Sequence, residues 1–167
     1  TAYRPSDVAT AVYSSDNGNL ATSNPLGDTG LQAVNKLLHN QTDSEGDPIV
    51  LSPNNSICLV PVDLAVTATE LARSSRVPEG TEGAINYWKG KFEVLTSPYL
   101  TAESSTTWYY GSFKDAFAWL EVWPLQTFSQ KPNSDQMFRR DLRAVLKVRF
   151  YGSCACVDPK YVVKATA

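Results

Sequence analysis

The chain has 167 residues, enough for one compact domain or two small ones with a buried core. Lys and Arg number 15 against 17 Asp and Glu, a formal net charge of −2. That balance lacks the basic excess of a dedicated nucleic-acid binder and argues against an acidic disordered tail.

Hydrophobic residues make up 43% and charged residues 19%, a globular composition poor in charge, so part of the surface is expected to be covered by something else. The aromatics, with 4 Trp, 8 Tyr and 6 Phe, favour β structure and interfaces. No run approaches the length of a membrane-spanning helix. The opening Thr-Ala-Tyr-Arg-Pro-Ser is neither a signal nor a transit peptide. It lacks an initiator Met, so the chain reads as processed, trimmed or a fragment of a longer protein.

Residues 1–28 are rich in Ser, Thr, Asn, Asp and Gly and read as a loosely ordered lead-in, with a short helix around Asp7–Tyr13. Asp28 or Thr29 is placed to cap a helix running to His39, with Leu31, Val34, Leu37 and Leu38 on one apolar stripe. A polar loop from Gln41 to Pro48 follows, then an extended Ile49-Val50-Leu51 and a turn through Asn55. Ile57-Cys58-Leu59-Val60 reads as a buried strand. Pro61 opens the next helix, whose apolar face is Leu64, Ala65, Ala68, Leu71 and Ala72, with Arg73 near its end. Ser74–Gly83 is a loop.

From Ala84 the period changes to two. Phe92–Leu95 is a strand stopped by Pro98, Trp108–Tyr110 one ended at Gly111, and Ala118–Trp123 one ended by Pro124. Residues 129–136 form a polar loop. A long strand places Ala144, Leu146, Val148, Phe150 and Gly152 on one face, and Val145, Lys147, Arg149, Tyr151 and Ser153 on the other. Tyr161-Val162-Val163 closes the chain after Asp158-Pro159. Helix, strand, helix and then several strands predict an α+β fold with a mainly antiparallel or mixed sheet.

Residues that carry chemistry are sparse. His39 is the only histidine and sits at a helix end, so any Ser-His-Asp or Cys-His pair must use it. The three cysteines are too few for a disulfide scaffold and fit a reducing compartment. Cys154-x-Cys156 lacks the four ligands of structural zinc and reads as small strand residues, and Cys58 reads as packing. The acids fall in loops without EF-hand or paired-carboxylate spacing, and no glycine-rich phosphate loop occurs. Asn40-Gln41-Thr42 and Asn54-Asn55-Ser56 fit the glycosylation pattern without a secretion signal beside them. Arg139-Arg140, followed by Arg143, Lys147 and Arg149, forms a basic cluster diluted by Asp135 and Asp141, and reads as a solvated or subunit-pairing face. Phe117, Trp119 and Trp123 are candidate interface anchors, although an alternating strand more simply turns both tryptophans into a core.

The order of short segments resembles the C-terminal part of tailed-bacteriophage major capsid proteins of the Mu-like head subunit type. The pieces are the helix Leu31–Leu38, the loop with Gly46-Asp47-Pro48, Ile57-Cys58-Leu59-Val60-Pro61 before the Ala-rich helix Leu64–Arg73, and Phe92-Glu93-Val94-Leu95-Thr96-Ser97-Pro98-Tyr99-Leu100. After them come Trp108-Tyr109-Tyr110-Gly111-Ser112-Phe113, Met137-Phe138 to Asp141, Lys147-Val148-Arg149-Phe150-Tyr151-Gly152, Val157-Asp158 and Tyr161-Val162-Val163-Lys164. The likeness runs from about Thr29 to Lys164 and finds no counterpart for residues 1–28.

The resemblance implies a Hong Kong 97-like capsid fold: an axial domain over residues 29–128 and, over residues 129–167, return strands toward the sheet of a peripheral domain. The N-terminal arm, extended hairpin loop and spine helix that come earlier in that family's chain are not visible, which again implies a fragment. It further implies a structural subunit of a phage or prophage shell that is not an enzyme and takes no cofactor, metal or small-molecule substrate. Its partners would be other copies of itself in capsomers. It would enclose phage DNA without sequence-specific binding, contact no membrane, and reside in the virion after synthesis in the bacterial cytoplasm. Interface candidates are Trp119, Trp123, Arg139 and Arg140. Two other readings stand beside it: a small hydrolase-like fragment using His39 with loop acids, and a phage tail or adhesion module presenting Trp119 and Trp123.

Overall fold

The computed structural model describes residues 11–43, 45–49, 56–76, 85–129, 139 and 145–167. Two compact units result. One comprises the chain up to Phe117 together with Cys156–Ala167, and the other is Ala118–Ala155.

The first unit is built on a five-stranded mixed sheet. In chain order its elements are β1 (Leu20–Ala21), α1 (Asp28–His39), β2 (Ile57–Val60), a short 3-10 turn Val62–Leu64, α2 (Ala65–Arg73), β3 (Glu93–Thr96), α3 (Pro98–Glu103), β4 (Trp108–Gly111) and α4 (Phe113–Ala116). After the second unit's strands β5 (Phe117–Ser129) and β6 (Leu146–Cys156), a second 3-10 turn at Pro159–Tyr161 leads into β7 (Val162–Ala165). The strand order is β1-β7-β4-β2-β3. β1 runs parallel to β7 and β2 parallel to β3, while β4 is antiparallel to both β2 and β7.

The register sorts the side chains. Ala21, Ala165 and Trp108 share one row, and Val163, Tyr110, Cys58 and Val94 share the next. All seven belong to, or pack against, the single hydrophobic core. Strand alternation puts their neighbours Leu20, Lys164, Tyr109, Leu59 and Leu95 on the opposite face. There the Tyr13 ring lies 5.3 Å from that of Tyr109. Helix α1 packs on β7 and β4, and α2 on β2 and β3. Leu31, Val34 and Leu38 of α1 are buried, as are Ala68, Leu71 and Ala72 of α2, so the apolar periodicity of both helices marks the faces they bury.

Several expectations change. The helix start is not capped by a side chain: Gly27 occupies the cap position. Asp28 instead accepts a hydrogen bond from Trp88 Nε1 (2.8 Å) and one from Gln32 Nε2 (2.8 Å). Pro98 does more than stop a strand. It occupies the first turn of α3, where its missing N–H leaves no helical bond unmade. Residues 11–13 are not helical.

The segment read as a loose lead-in is tied down over its described part. Asn19 is fully buried; its Oδ1 accepts from Ser14 N, and its Nδ2 donates to Val12 O (2.8 Å) and Pro159 O (2.9 Å). The bond to Pro159 joins positions 140 residues apart, and β1 then adds to the edge of β7. The final strand therefore lies in the same sheet as β2, β3 and β4, and only the β5–β6 segment leaves it. Residues 1–10, Val50–Asn55, the 77–83 part of the loop after α2, residues 130–138, Arg140, Arg143 and Ala144 lie outside the described residues.

Candidate functional site

The β5–β6 hairpin is a two-stranded sheet of its own. Its strands are 13 and 11 residues long. β5 runs through Pro124 instead of ending there. A proline has no N–H for a ladder, but each strand of a two-stranded ribbon has one free edge, where that donor is not missed.

A ribbon of two strands carries no second layer, and apolar side chains on both of its faces stay in solvent. Here Trp119, Leu120, Val122, Trp123, Leu125, Phe128, Leu146, Val148, Phe150 and Tyr151 are all exposed, with Trp119 58% and Trp123 50% accessible. The expectation that both tryptophans point into a core is thereby corrected. Strand alternation places side chains on two faces but does not supply a layer to cover either.

The exposed rings are organised. Trp119 stacks on Phe150 with centroids 5.8 Å apart and planes 6° from parallel. Gly152 lies beneath this pair, where a Cβ would come 2.8 Å from Trp119 Cζ2 and 3.1 Å from the Phe150 ring. Trp123 meets Tyr151 at 6.0 Å. The Arg149 guanidinium lies 5.0 Å from the Trp123 ring centre and 5.1 Å from that of Phe128, and its Nε donates to Gln126 Oε1 at 2.7 Å. Cation–π contacts of this kind hold an arginine against rings, so Arg149, although exposed, also braces the hairpin. Arg139 is exposed.

The other sequence candidates lie apart, in the first unit. His39 is the last residue of α1 and is exposed. It borders an open cleft of about 300 Å³, with Gln32, Asn35, Lys36, His39 and Asn40 on one wall and Tyr87 and Trp88 on the other. Among the described residues the lining contains amides, two basic side chains and two aromatics, and Asp43, Glu45 and Asp47 are not part of it. Sequence reasoning missed Trp88 and Asn86. Asn86 is buried, donates to Leu71 O and Ser74 O at the end of α2, and accepts from Trp88 N. An Asn three residues after a loop and two before a Trp is the available signal.

All three cysteines are free thiols. Among the described residues no group of three or more His, Cys, Asp or Glu stands close enough to hold a metal ion. Burial pushes the Cys58 thiol up to about 12, whereas Cys154 is exposed. Since the thiolate is the reactive form, iodoacetamide at pH 8 is expected to label Cys154 in the native protein and Cys58 only after unfolding in denaturant. Peptide mass spectrometry reads both; rapid native labelling of Cys58 would contradict its packing. No helix among the described residues is long and apolar enough to cross a membrane.

One unit is a mixed sheet with its helices in place, and the other is a long ribbon with exposed apolar side chains. The family follows from the sequence: the model of the family described as "Mu-like prophage major head subunit gpT" matches residues 13–100, more than half of the chain. The chain belongs to that family. The match starts at Tyr13, inside the segment for which no counterpart was expected, and ends at Leu100, before β4 and the hairpin. Among solved structures, the chain is similar to one described as "Capsid of empty GTA particle computed with C5 symmetry", with 12% identity and a TM-score of 0.43. That likeness covers 88% of this chain and 49% of the other, so the chain spans about half the length of that capsid protein. No curated protein matches the chain.

Proposed function

We propose that this chain is a structural subunit, or part of one, of a phage or prophage capsid, working by self-assembly in the virion. The observation that carries the reading is the β5–β6 ribbon with its ten large exposed apolar side chains. Aromatic side chains bury on the order of 150–250 Å² each, so ten large apolar groups about half exposed offer roughly 800 Å². Divided between the two faces of the ribbon, that leaves about 400 Å² on each, within the ~300–600 Å² of the largest, often functional, patch on a typical monomer. The total is close to the ~800 Å² each partner contributes to a standard interface.

In this reading the fold is Hong Kong 97-like. The five-stranded unit serves as the axial domain, and the ribbon, which leaves it after Phe117 and returns at Cys156, serves as strands of the peripheral domain. Trp119 and Trp123 are the anchors, and Arg139 and Arg140 belong to the same pairing surface. Each contact is modest, and closed symmetry repeats it until the sum is large. The net charge of −2 suits a wall that encloses DNA without gripping particular sequences.

Static light scattering and negative-stain electron microscopy of the intact gene product test this. Large regular particles or closed rings are expected, and a product that remains single across the micromolar range overturns the reading.

A further inference from the structure

The cleft beside α1 presents basic side chains. Lys36 and His39 line it with three amides, and both basic residues are exposed. Asp28, at the start of α1, accepts from Trp88 Nε1 and Gln32 Nε2. Lys91 adds a further cation, 5.1 Å above the Tyr87 ring. The cleft is therefore suited to a carboxylate-bearing polypeptide segment: donors for acids and backbone carbonyls on one wall, aromatic surface on the other.

The chain carries such a segment immediately after α1. Asp43 Oδ1 accepts from Glu45 N (2.8 Å) and Asp47 N (3.0 Å), and Asp43 N donates to Asp47 O (2.9 Å). A bridge between Thr42 and Pro48 closes the turn, and Lys160 Nζ donates to Thr42 O. Asp43 is thus spent inside the turn, while Glu45 and Asp47 are exposed on it.

We propose that the acidic turn of one copy seats in the α1 cleft of a second copy, placing Glu45 and Asp47 against Lys36 and His39. The cleft and the turn both adjoin the C-terminal end of α1. A two-fold contact pairs one patch with the other and the reverse, so a single axis beside that helix end satisfies both clefts at once. The proposal rests on the chain being a self-associating subunit and names a contact apart from the hairpin.

The test uses the 167-residue chain in an equal mixture of normal and ¹⁵N-labelled protein, joined with a zero-length carbodiimide and read by mass spectrometry. Mixed light–heavy peptides linking Lys36 to Glu45 or Asp47 are expected. Lys36→Glu weakens association about tenfold at low salt, as like charges replace an ion pair. Adding Glu45→Lys to it restores association to within about threefold of the parent. Association that persists without those links, and that charge reversal leaves unchanged, overturns this contact while the subunit reading stands. A chain that stays single at every concentration overturns both.

Discussion

The variant carrying Trp119→Ser and Trp123→Ser is expected to lose self-association while keeping its fold. Both side chains are half exposed on a two-stranded ribbon, and neither belongs to the hydrophobic core. Central aromatic anchors of an interface are worth about 2 kcal/mol or more each. Removing two therefore costs about 4 kcal/mol, roughly a thousandfold in affinity. The loss includes the Trp119–Phe150 stack and the Arg149–Trp123 contact. Sedimentation velocity over a concentration series reads the association. Thermal unfolding by circular dichroism reads the fold, which is expected to shift by no more than a few degrees. An association constant unchanged within threefold would remove the ribbon from the interface.

Gly111→Ala is expected to produce the largest loss of stability from one methyl group. Gly111 has φ +146 and sits in β4 between β2 and β7, paired with Ile57 on one side and Val162 on the other. A Cβ there would overlap the Tyr161 carbonyl oxygen and stand 2.9 Å from Val162 Cα. Both obstacles are backbone, so no side chain can swing aside. Strain at a disfavoured φ and overpacking each cost about 1–3 kcal/mol. Together, about 3 kcal/mol or more would be lost from a total that for most domains is only ~5–15 kcal/mol. Gly46→Ala is the control: its φ is +92, but a Cβ there meets open space, so only the conformational part is paid. Urea denaturation compares the two. A midpoint for Gly111→Ala no lower than that for Gly46→Ala would show that β7 can move away from β4 freely.

The elements legible from the sequence are those whose evidence is local. α1 announces itself through Leu31, Val34 and Leu38, α2 through Ala68, Leu71 and Ala72, and β2 and β4 through short apolar runs bounded by Pro61 and Gly111. What escaped is non-local or too short to carry a period. β1 is two residues long and exists because Asn19 anchors to Pro159 across the chain. α3 is six residues long, and its one signal, Pro98, reads equally as the end of a strand. The cleft joins α1 to Tyr87 and Trp88, and nothing in either segment alone announces the other.

Trp119 and Trp123 mark the division most clearly. Alternation along β5 and β6 establishes from the primary structure alone that these residues form strands and that large apolar groups recur on them, because side-chain direction follows from the local backbone. Whether such a face is buried depends on a second layer arriving from elsewhere in the chain. Helices α1 and α2 pack on strands of the five-stranded sheet, while the large apolar side chains of β5 and β6 stay exposed. A pattern suited to a core thus becomes a surface, since burial is a property of which elements meet, and the meeting is set by packing over long separations.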